Sequence, residues 1–455
     1  MERHTKQSGW LSLLFILCLL MPVLFLLTMP GGTMMGGLSW FWLIMLLCFW
    51  MMGSMAGRAA DESVETVTGE RAENLLRMLA PEEQPGIIRR VMDVRLATEK
   101  HGISMFRGPL LEPAEQALKD LRTEFEGRIV PLIQEDDELG NSIILMPQVV
   151  EEKVFERSTR PWIHWLLFGL TFLTTTWAGA MHQGVNLLQD PRSFTVGLPY
   201  SISLLLILGV HELGHYFMAK HHKLNVTPPF FIPVPFALGT FGAFIQMKSP
   251  TENRRSLFDV AVAGPLAGLV IAIPALLLGL QNSQVLPPNA DAGHSMMQGT
   301  MLHGTSVGSS MLFALLARAV LGDQLQHGYM LQLSPLAFAG WLGLLVTALN
   351  LLPIGQLDGG HMARAMFGGR MGATVSSVAT WSLFMLAIFV WPGLLLWAII
   401  VFFIAGRGTP PLNDITPIST GRRWIGYATF LILALILIPL PHAFWQAAEI
   451  YCPYL

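Results

Sequence analysis

Apolar and polar positions are sharply segregated along this chain. Long apolar runs fall near Trp10–Thr28, Leu38–Met55, Trp162–Ala180, Leu198–Ala219, Leu257–Leu280, Leu333–Leu352, Ser376–Trp391, Pro392–Ala405 and Trp424–Leu440. A helix needs about 20 mostly apolar residues to cross hydrocarbon, so the pattern predicts about nine spans, with 376–405 divided at Trp391–Pro392. Between the second and third runs the pattern changes. Residues 57–161 hold most of the acidic residues and half of the basic ones. Within them, Glu112–Phe125 carries Ala117, Leu118, Leu121 and Phe125 at helical spacing, and Gly140–Val150 contains the strand-like run Ile143–Met146. A helix is also expected at Met311–Leu321, lying on the surface because Arg318 interrupts it. Thr240–Met247 alternates loosely, and Pro228, Pro229, Pro233 and Pro235 keep the stretch around it out of helix. The expected fold is an all-α polytopic membrane protein with a re-entrant or β segment and a small soluble α+β domain. Its expected parts are two N-terminal transmembrane helices (1–56), a soluble cytosolic domain (57–161), a membrane core (162–370) and C-terminal transmembrane helices (371–455).

Composition agrees with a membrane protein. The 455 residues are 52% hydrophobic and 13% charged, against about 25% charged in an average soluble domain. The net charge of -3 gives no argument for nucleic-acid binding. Cys18, Cys48 and Cys452 have no C-x-x-C spacing, so neither a disulfide framework nor a cysteine zinc site is expected. Arg3 and Lys6, the 57–161 segment, Lys220–Lys223, Lys248–Arg255, Arg364–Arg370 and Arg407–Arg423 all fall on one side of a nine-span count. Basic loops mark the cytosolic side. The N-terminus is therefore expected in the cytosol, and because no Ser/Arg-rich transit-peptide pattern precedes the first run, the expected location is a multi-pass protein of a prokaryotic cytoplasmic membrane. Nothing in the pattern fixes an oligomeric state.

The chemistry concentrates in His211-Glu212-Leu213-Gly214-His215, inside the fourth run. Ionisable groups in hydrocarbon are costly, which makes them functional candidates by default. On a helix, residues i and i+4 share a face, so His211 and His215 can grip one zinc ion, and Glu212 beside them can accept a proton from an attacking water. A structural reading, in which the histidines only bond neighbouring helices, leaves three ionisable groups on one turn without a purpose.

Catalytic zinc needs a third protein ligand. His221 sits at the spacing of a third histidine, but Met218 stands where a glycine would have to turn the chain, and on a continuing helix His221 points away. Asp358 lies in Asn350-Leu351-Leu352-Pro353-Ile354-Gly355-Gln356-Leu357-Asp358-Gly359-Gly360-His361, where Pro353, Gly355, Gly359 and Gly360 break regular helix. Irregular backbone at membrane depth is tolerated where it lines a wet cavity. A carboxylate there could complete a His/His/carboxylate site or could be an interfacial turn aspartate. Spacing does not decide between them.

The two motifs together, His211–His215 and Asn350…Asp358-Gly359, resemble the site-2 protease family of intramembrane zinc metalloproteases, and Phe258–Gly268 is similar to the span between that family's motifs. The likeness covers roughly 198–370. It implies that His211, His215 and Asp358 are zinc ligands, that Glu212 is the catalytic base, and that Asn350 helps position substrate. The implied substrates are transmembrane proteins within the lipid bilayer. No PDZ-like insert separates the motifs, and Gly239–Phe244 with Phe106–Leu110 are similar to the cyanobacterial and plant-chloroplast branch.

A helical substrate hides its peptide groups in its own hydrogen bonds. Gly239, Thr240, Phe241 and Gly242 open a segment that could hold an unwound chain by strand addition. A plain re-entrant loop is the competing reading. Gly264 and Gly268 have the small-xxx-small spacing of close helix packing, and Ser256 with Asp259 fits a capping box. His361 is either an outer partner of the site or an interfacial histidine. His294, His303 and His327 fall in far-side loop sequence. The rival to a protease is a non-enzymatic metal-binding transporter or scaffold, which would more often show internal repeats.

Overall fold

From residue 84 onward, the computed structural model of the chain describes residues 84–100, 103–125, 129–147, 161–286, 310–324, 330–389 and 395–438, positions 137, 236, 405 and 407 excepted. The expected spans at 10–28 and 38–55, the three cysteines, and His294, His303 and His327 lie outside the described residues.

The polar stretch folds as helix α1 (Gly86–Val91), strands β1 (Leu96–Lys100) and β2 (Ile103–Gly108), helix α2 (Ala114–Glu124), and strands β3 (Ile129–Asp136) and β4 (Gly140–Pro147). The strands lie side by side in the order β1-β2-β4-β3, every pair antiparallel. Register puts Phe106 and Ile133 either side of Ile143. All three are fully buried, and Ile88 and Leu121 close the core from the helices. The β3–β4 turn is pinned by Asp136, whose Oδ1 accepts the backbone N–H groups of Leu139 at 3.0 Å and Glu138 at 3.1 Å. The Leu139 bond is the largest influence holding the Asp136 carboxyl below its ordinary range.

The apolar part begins with α3 (Pro161–His182) and α4 (Leu198–His221), followed by a hairpin of β5 (Phe230–Pro233) and β6 (Thr240–Phe244). Then come α5 (Arg254–Gln281), β7 (Gln284–Leu286), α6 (Met311–Leu321), β8 (Met330–Gln332), α7 (Pro335–Leu351), α8 (Asp358–Phe367), α9 (Gly369–Phe389), α10 (Leu395–Ile404) and α11 (Thr420–Leu437). Strands β7 and β8 pair in a second small sheet. Among the described residues, four helices, α4, α5, α9 and α11, are long and apolar enough to cross a membrane. The protein is thus mostly helical with a few small sheets. Large apolar side chains face outward, among them Phe389 (77% exposed), Trp165 (75%) and Val270 (68%). Each would cost about 1.5–3 kcal/mol in water and costs nothing against acyl chains, so this surface is built for a bilayer.

Helix α5 sits at the centre, against α4, α7 and α8. It approaches α7 closely through glycines: a Cβ on Gly340 would lie 2.6 Å from the Leu276 backbone N. One expectation is corrected here. Ser256 does belong to a capping box, but the N-cap is Asn253, whose side chain accepts the Ser256 N–H at 2.9 Å. Asp259 instead receives a two-pronged Arg422 (2.7 and 2.8 Å) and lies 3.0 Å from His222 Nε2. Helix α6 buries Phe313, Ala314, Ala317 and Leu321 along one side, with Leu315 and Ala319 exposed and Arg318 half-buried at the flank. Helix α9 also starts earlier than its apolar run suggests, at Gly369 instead of Ser376.

The capping box has a direct test. A double-mutant cycle on thermal unfolding of the purified chain should couple Ser256→Ala to Asn253→Ala by about 1 kcal/mol. Coupling of Ser256 to Asp259→Ala should be near zero, and a large value there would restore the rejected pairing.

Candidate metal centre

Helix α4 runs unbroken from Leu198 to His221 and sets His211 and His215 one turn apart on one face. Both are buried, and their Nε2 atoms stand 3.2 Å apart. His221 lies at the exposed end of the same helix. The chain meets this face again far downstream. Helix α7 ends at Leu351, the turn through Gly355 (φ +51°) reverses direction, and α8 begins with Asp358. A Cβ on Gly359 would collide with the Leu351 carbonyl, and one on Gly360 with the Gly355 carbonyl, so the tight turn requires both glycines. Asp358 Oδ2 arrives 3.5 Å from His211 Nε2 and 3.2 Å from His215 Nε2.

Those three separations test the site for zinc. Ligands at 2.0–2.1 Å in a tetrahedron stand about 3.3–3.4 Å from one another. The observed triangle of 3.2, 3.2 and 3.5 Å has that size. Two imidazoles and one carboxylate are a zinc donor set, with a fourth position left for water or substrate. His211, His215 and Asp358 are the one group of three or more His, Cys, Asp or Glu residues among those described that could hold a metal ion in this way.

Neighbouring groups orient the donors. His215 Nδ1 is 2.8 Å from the Val260 carbonyl. A carbonyl only accepts, so Nδ1 carries the proton and Nε2 keeps its lone pair for the centre. The space for both rings comes from α5. A Cβ on Gly264 would fall on the His215 ring, and one on Gly268 would lie 3.1 Å from His211 Nδ1. The small-residue spacing therefore serves the imidazoles as well as the helix contact. Glu212 is buried beside them at 6% exposure, and the Ile245 backbone N–H, just past β6, faces its carboxylate.

Asn350, on the last turn of α7, lies with Nδ2 3.3 Å from His211 Nε2. Gly239, Thr240, Phe241 and Gly242 sit at the start of β6. Thr174 Oγ1 donates to the Gly239 carbonyl at 2.7 Å, Tyr200 Oη donates to the Leu238 carbonyl at 2.9 Å, and Thr240 Oγ1 donates to the Ile232 carbonyl at 2.9 Å. The first two bonds fasten the hairpin to α3 and α4, and the third ties its two strands together. Phe241 projects outward at 69% exposure, and Gly242 (φ +104°) has open space around its Cα. His361 lies on α8 with a buried Nδ1 that has no hydrogen-bond partner. One charged cluster gave no signal in the sequence. Asp414, at 3% exposure, accepts from Arg254 of α5 and Arg364 of α8. Its partners are 160 and 50 residues away, beyond the reach of any local spacing rule.

The fold and the centre define a class: helical membrane proteins with an H-E-x-x-H helix and a distant aspartate at zinc-ligand spacing. Comparison with known proteins shows a family likeness. Residues 199–391 match the model of Peptidase family M50, the site-2 protease family. It is 30% identical over 349 residues to a rice (Oryza sativa subsp. indica) protein named probable zinc metalloprotease EGY2, chloroplastic, covering 74% of this chain and 61% of the relative. It is 34% identical over 245 residues to the Arabidopsis thaliana probable zinc metalloprotease EGY1, chloroplastic, covering 53% of this chain and 43% of the relative. The chain thus spans about three fifths or less of the length of these relatives. No solved structure matches it significantly.

The glycine seats predict an order of effects. Gly264→Ala should abolish stoichiometric zinc, measured by elemental analysis of the purified protein. Gly268→Ala, with its looser 3.1 Å contact, should keep a large part of it. Helical content should be unchanged in both; equal zinc in the two variants would contradict this account.

Proposed function

We propose that this protein is an intramembrane zinc metalloprotease that hydrolyses peptide bonds in or near transmembrane segments of other membrane proteins. The observation that carries this reading is the convergence of His211, His215 and Asp358 at zinc-donor spacing around a buried Glu212. In this reading His211, His215 and Asp358 hold the metal. When bound, zinc supplies the Lewis acidity that polarises the scissile carbonyl and acidifies water. Glu212 takes the proton of the attacking water and hands it to the leaving amine. The Val260 carbonyl keeps His215 in the ligating tautomer, and Asn350, at the rim of the same cluster, orients substrate.

The substrate is a helix, and its backbone must be unwound before attack. The β5–β6 hairpin supports a means. It is extended backbone fastened to α3 and α4, with Phe241 outward and Ile245 beside Glu212. Strand addition along Gly239, Thr240, Phe241 and Gly242 would hold an unwound chain next to the base. The same reading takes the protein as multi-pass, with about nine spans. The distribution of Lys and Arg supports placing the 57–161 segment and the basic loops together on one side of the membrane, the cytosolic side if the membrane is a prokaryotic cytoplasmic one. In this reading the chain divides into two N-terminal transmembrane helices (1–56), a soluble domain (57–161), a membrane core (162–370) and C-terminal helices (371–455), with residues 412–414 joining the last to the other two.

A metal transporter is the competing function. A protease reading is favoured because one compact donor set adjoins a carboxylate that is not one of the three donors. Glu212→Gln should lower cleavage of a membrane-embedded substrate at least about 10²-fold while zinc content stays at the native level. Surviving proteolysis would remove Glu212 as the base. Phe241→Pro should reduce cleavage and leave zinc in place. If both fall together, the hairpin supports the centre and does not hold substrate.

A further inference from the structure

The donors of the candidate centre come from two bodies. The imidazoles stand on α4, seated in α5, while the carboxylate stands on α8, beyond a turn. Away from the centre, α8 is tied back to α5 by one buried carboxylate. Asp414 Oδ1 accepts from Arg254 Nε, at the first residue of α5, at 3.1 Å. Asp414 Oδ2 accepts from Arg364 Nη2, on α8, at 2.6 Å. The backbone makes room for this cluster: a Cβ on Gly368 would lie 2.7 Å from Arg254 Nη2, and one on Gly369 would lie 3.0 Å from Asp414 Oδ2.

Asp414 itself is held on both sides. Leu412 N–H donates to the Thr251 carbonyl and Asn413 N–H to that of Glu252, each at 2.9 Å. On the other flank Ile133 N–H donates to the Leu412 carbonyl at 2.8 Å, and Asp414 N–H to that of Ile133 at 3.0 Å. Residues 412–414 thus lie between strand β3 of the soluble domain and the segment entering α5, with the Leu412 side chain in the soluble domain's core.

Charge balance does not explain the second arginine. Arg254 alone neutralises Asp414, and a buried pair needs only one partner of each sign. What Arg364 adds is a charge-assisted bond between α8 and α5. We propose that Asp414 is a positioning residue for the metal centre. By bridging Arg254 and Arg364, it holds α8 so that Asp358 stays at donor distance from His211 and His215. This rests on the reading that those three residues bind one zinc ion.

The test uses the full chain in detergent, with zinc affinity measured by competition against a chromophoric chelator and Co²⁺ absorption as a report on the ligand field. Arg364→Met removes the tie to α8 and leaves the Arg254–Asp414 pair. It should weaken zinc binding about tenfold or more and alter the Co²⁺ bands, with thermal unfolding of the metal-free protein little changed. Arg364→Lys should recover part of the affinity. Arg122→Ala, which breaks an exposed pair with Glu252, should change neither readout. Native affinity in Arg364→Met overturns the proposal. Should that variant not fold, Gly369→Ala, which crowds the Asp414 carboxylate, carries the same test, and native affinity in it is equally contrary. A native chain that binds no zinc overturns the reading of the centre itself, and the proposal with it.

Discussion

The structure depends on one constraint. Two buried imidazoles and a carboxylate must meet within about a water's diameter inside a bundle whose outer surface is suited to hydrocarbon. Each of these groups is expensive to desolvate alone. Together, at separations of 3.2–3.5 Å, they form a cage that a divalent cation would complete. Most of the unusual local features nearby serve that meeting. Glycines on α5 make space for the rings, the Val260 carbonyl fixes one tautomer, and a glycine-rich turn delivers Asp358 at the first residue of α8.

Precision of this kind has to be maintained by the supporting elements, because a donor displaced by an ångström no longer ligates. On one side the support is intimate, since α4 and α5 pack through Gly214, Gly264 and Gly268. On the other side α8 follows a six-residue turn, and its register is set through longer contacts. The Arg254–Asp414–Arg364 cluster is the polar part of that support. It is continuous with the pairing of residues 412–414 against the edge of the antiparallel sheet. The sheet and the apolar helices therefore share backbone hydrogen bonds, and a disturbance of the sheet edge has a short physical route to α8.

What the sequence disclosed follows from the range of each rule. Helical periodicity placed α2, and the length of the apolar runs placed α4 and α7, each within a few residues, because both signals are local. The shared face of His211 and His215 was legible for the same reason. Asp358 could not be found from spacing, since it lies 143 residues beyond His215, and only a family resemblance singled it out. Strand β6 was legible from prolines and loose alternation, whereas its partner β5 was not. The capping partner of Ser256 was mistaken because Asp259 and Asn253 both stand three residues away. Asp414 gave no signal at all, because its meaning lies in two partners brought to it only by the fold.

X-ray absorption at the zinc edge, on the purified full-length chain and on Asp358→Ala, addresses the cage most directly. The account predicts one zinc per chain in the native protein, bound by two imidazoles and oxygen at about 2.0–2.2 Å. It predicts loss of the metal, or of one oxygen ligand, in the variant. Zinc bound through sulfur, or a spectrum that Asp358→Ala leaves unchanged, would contradict it.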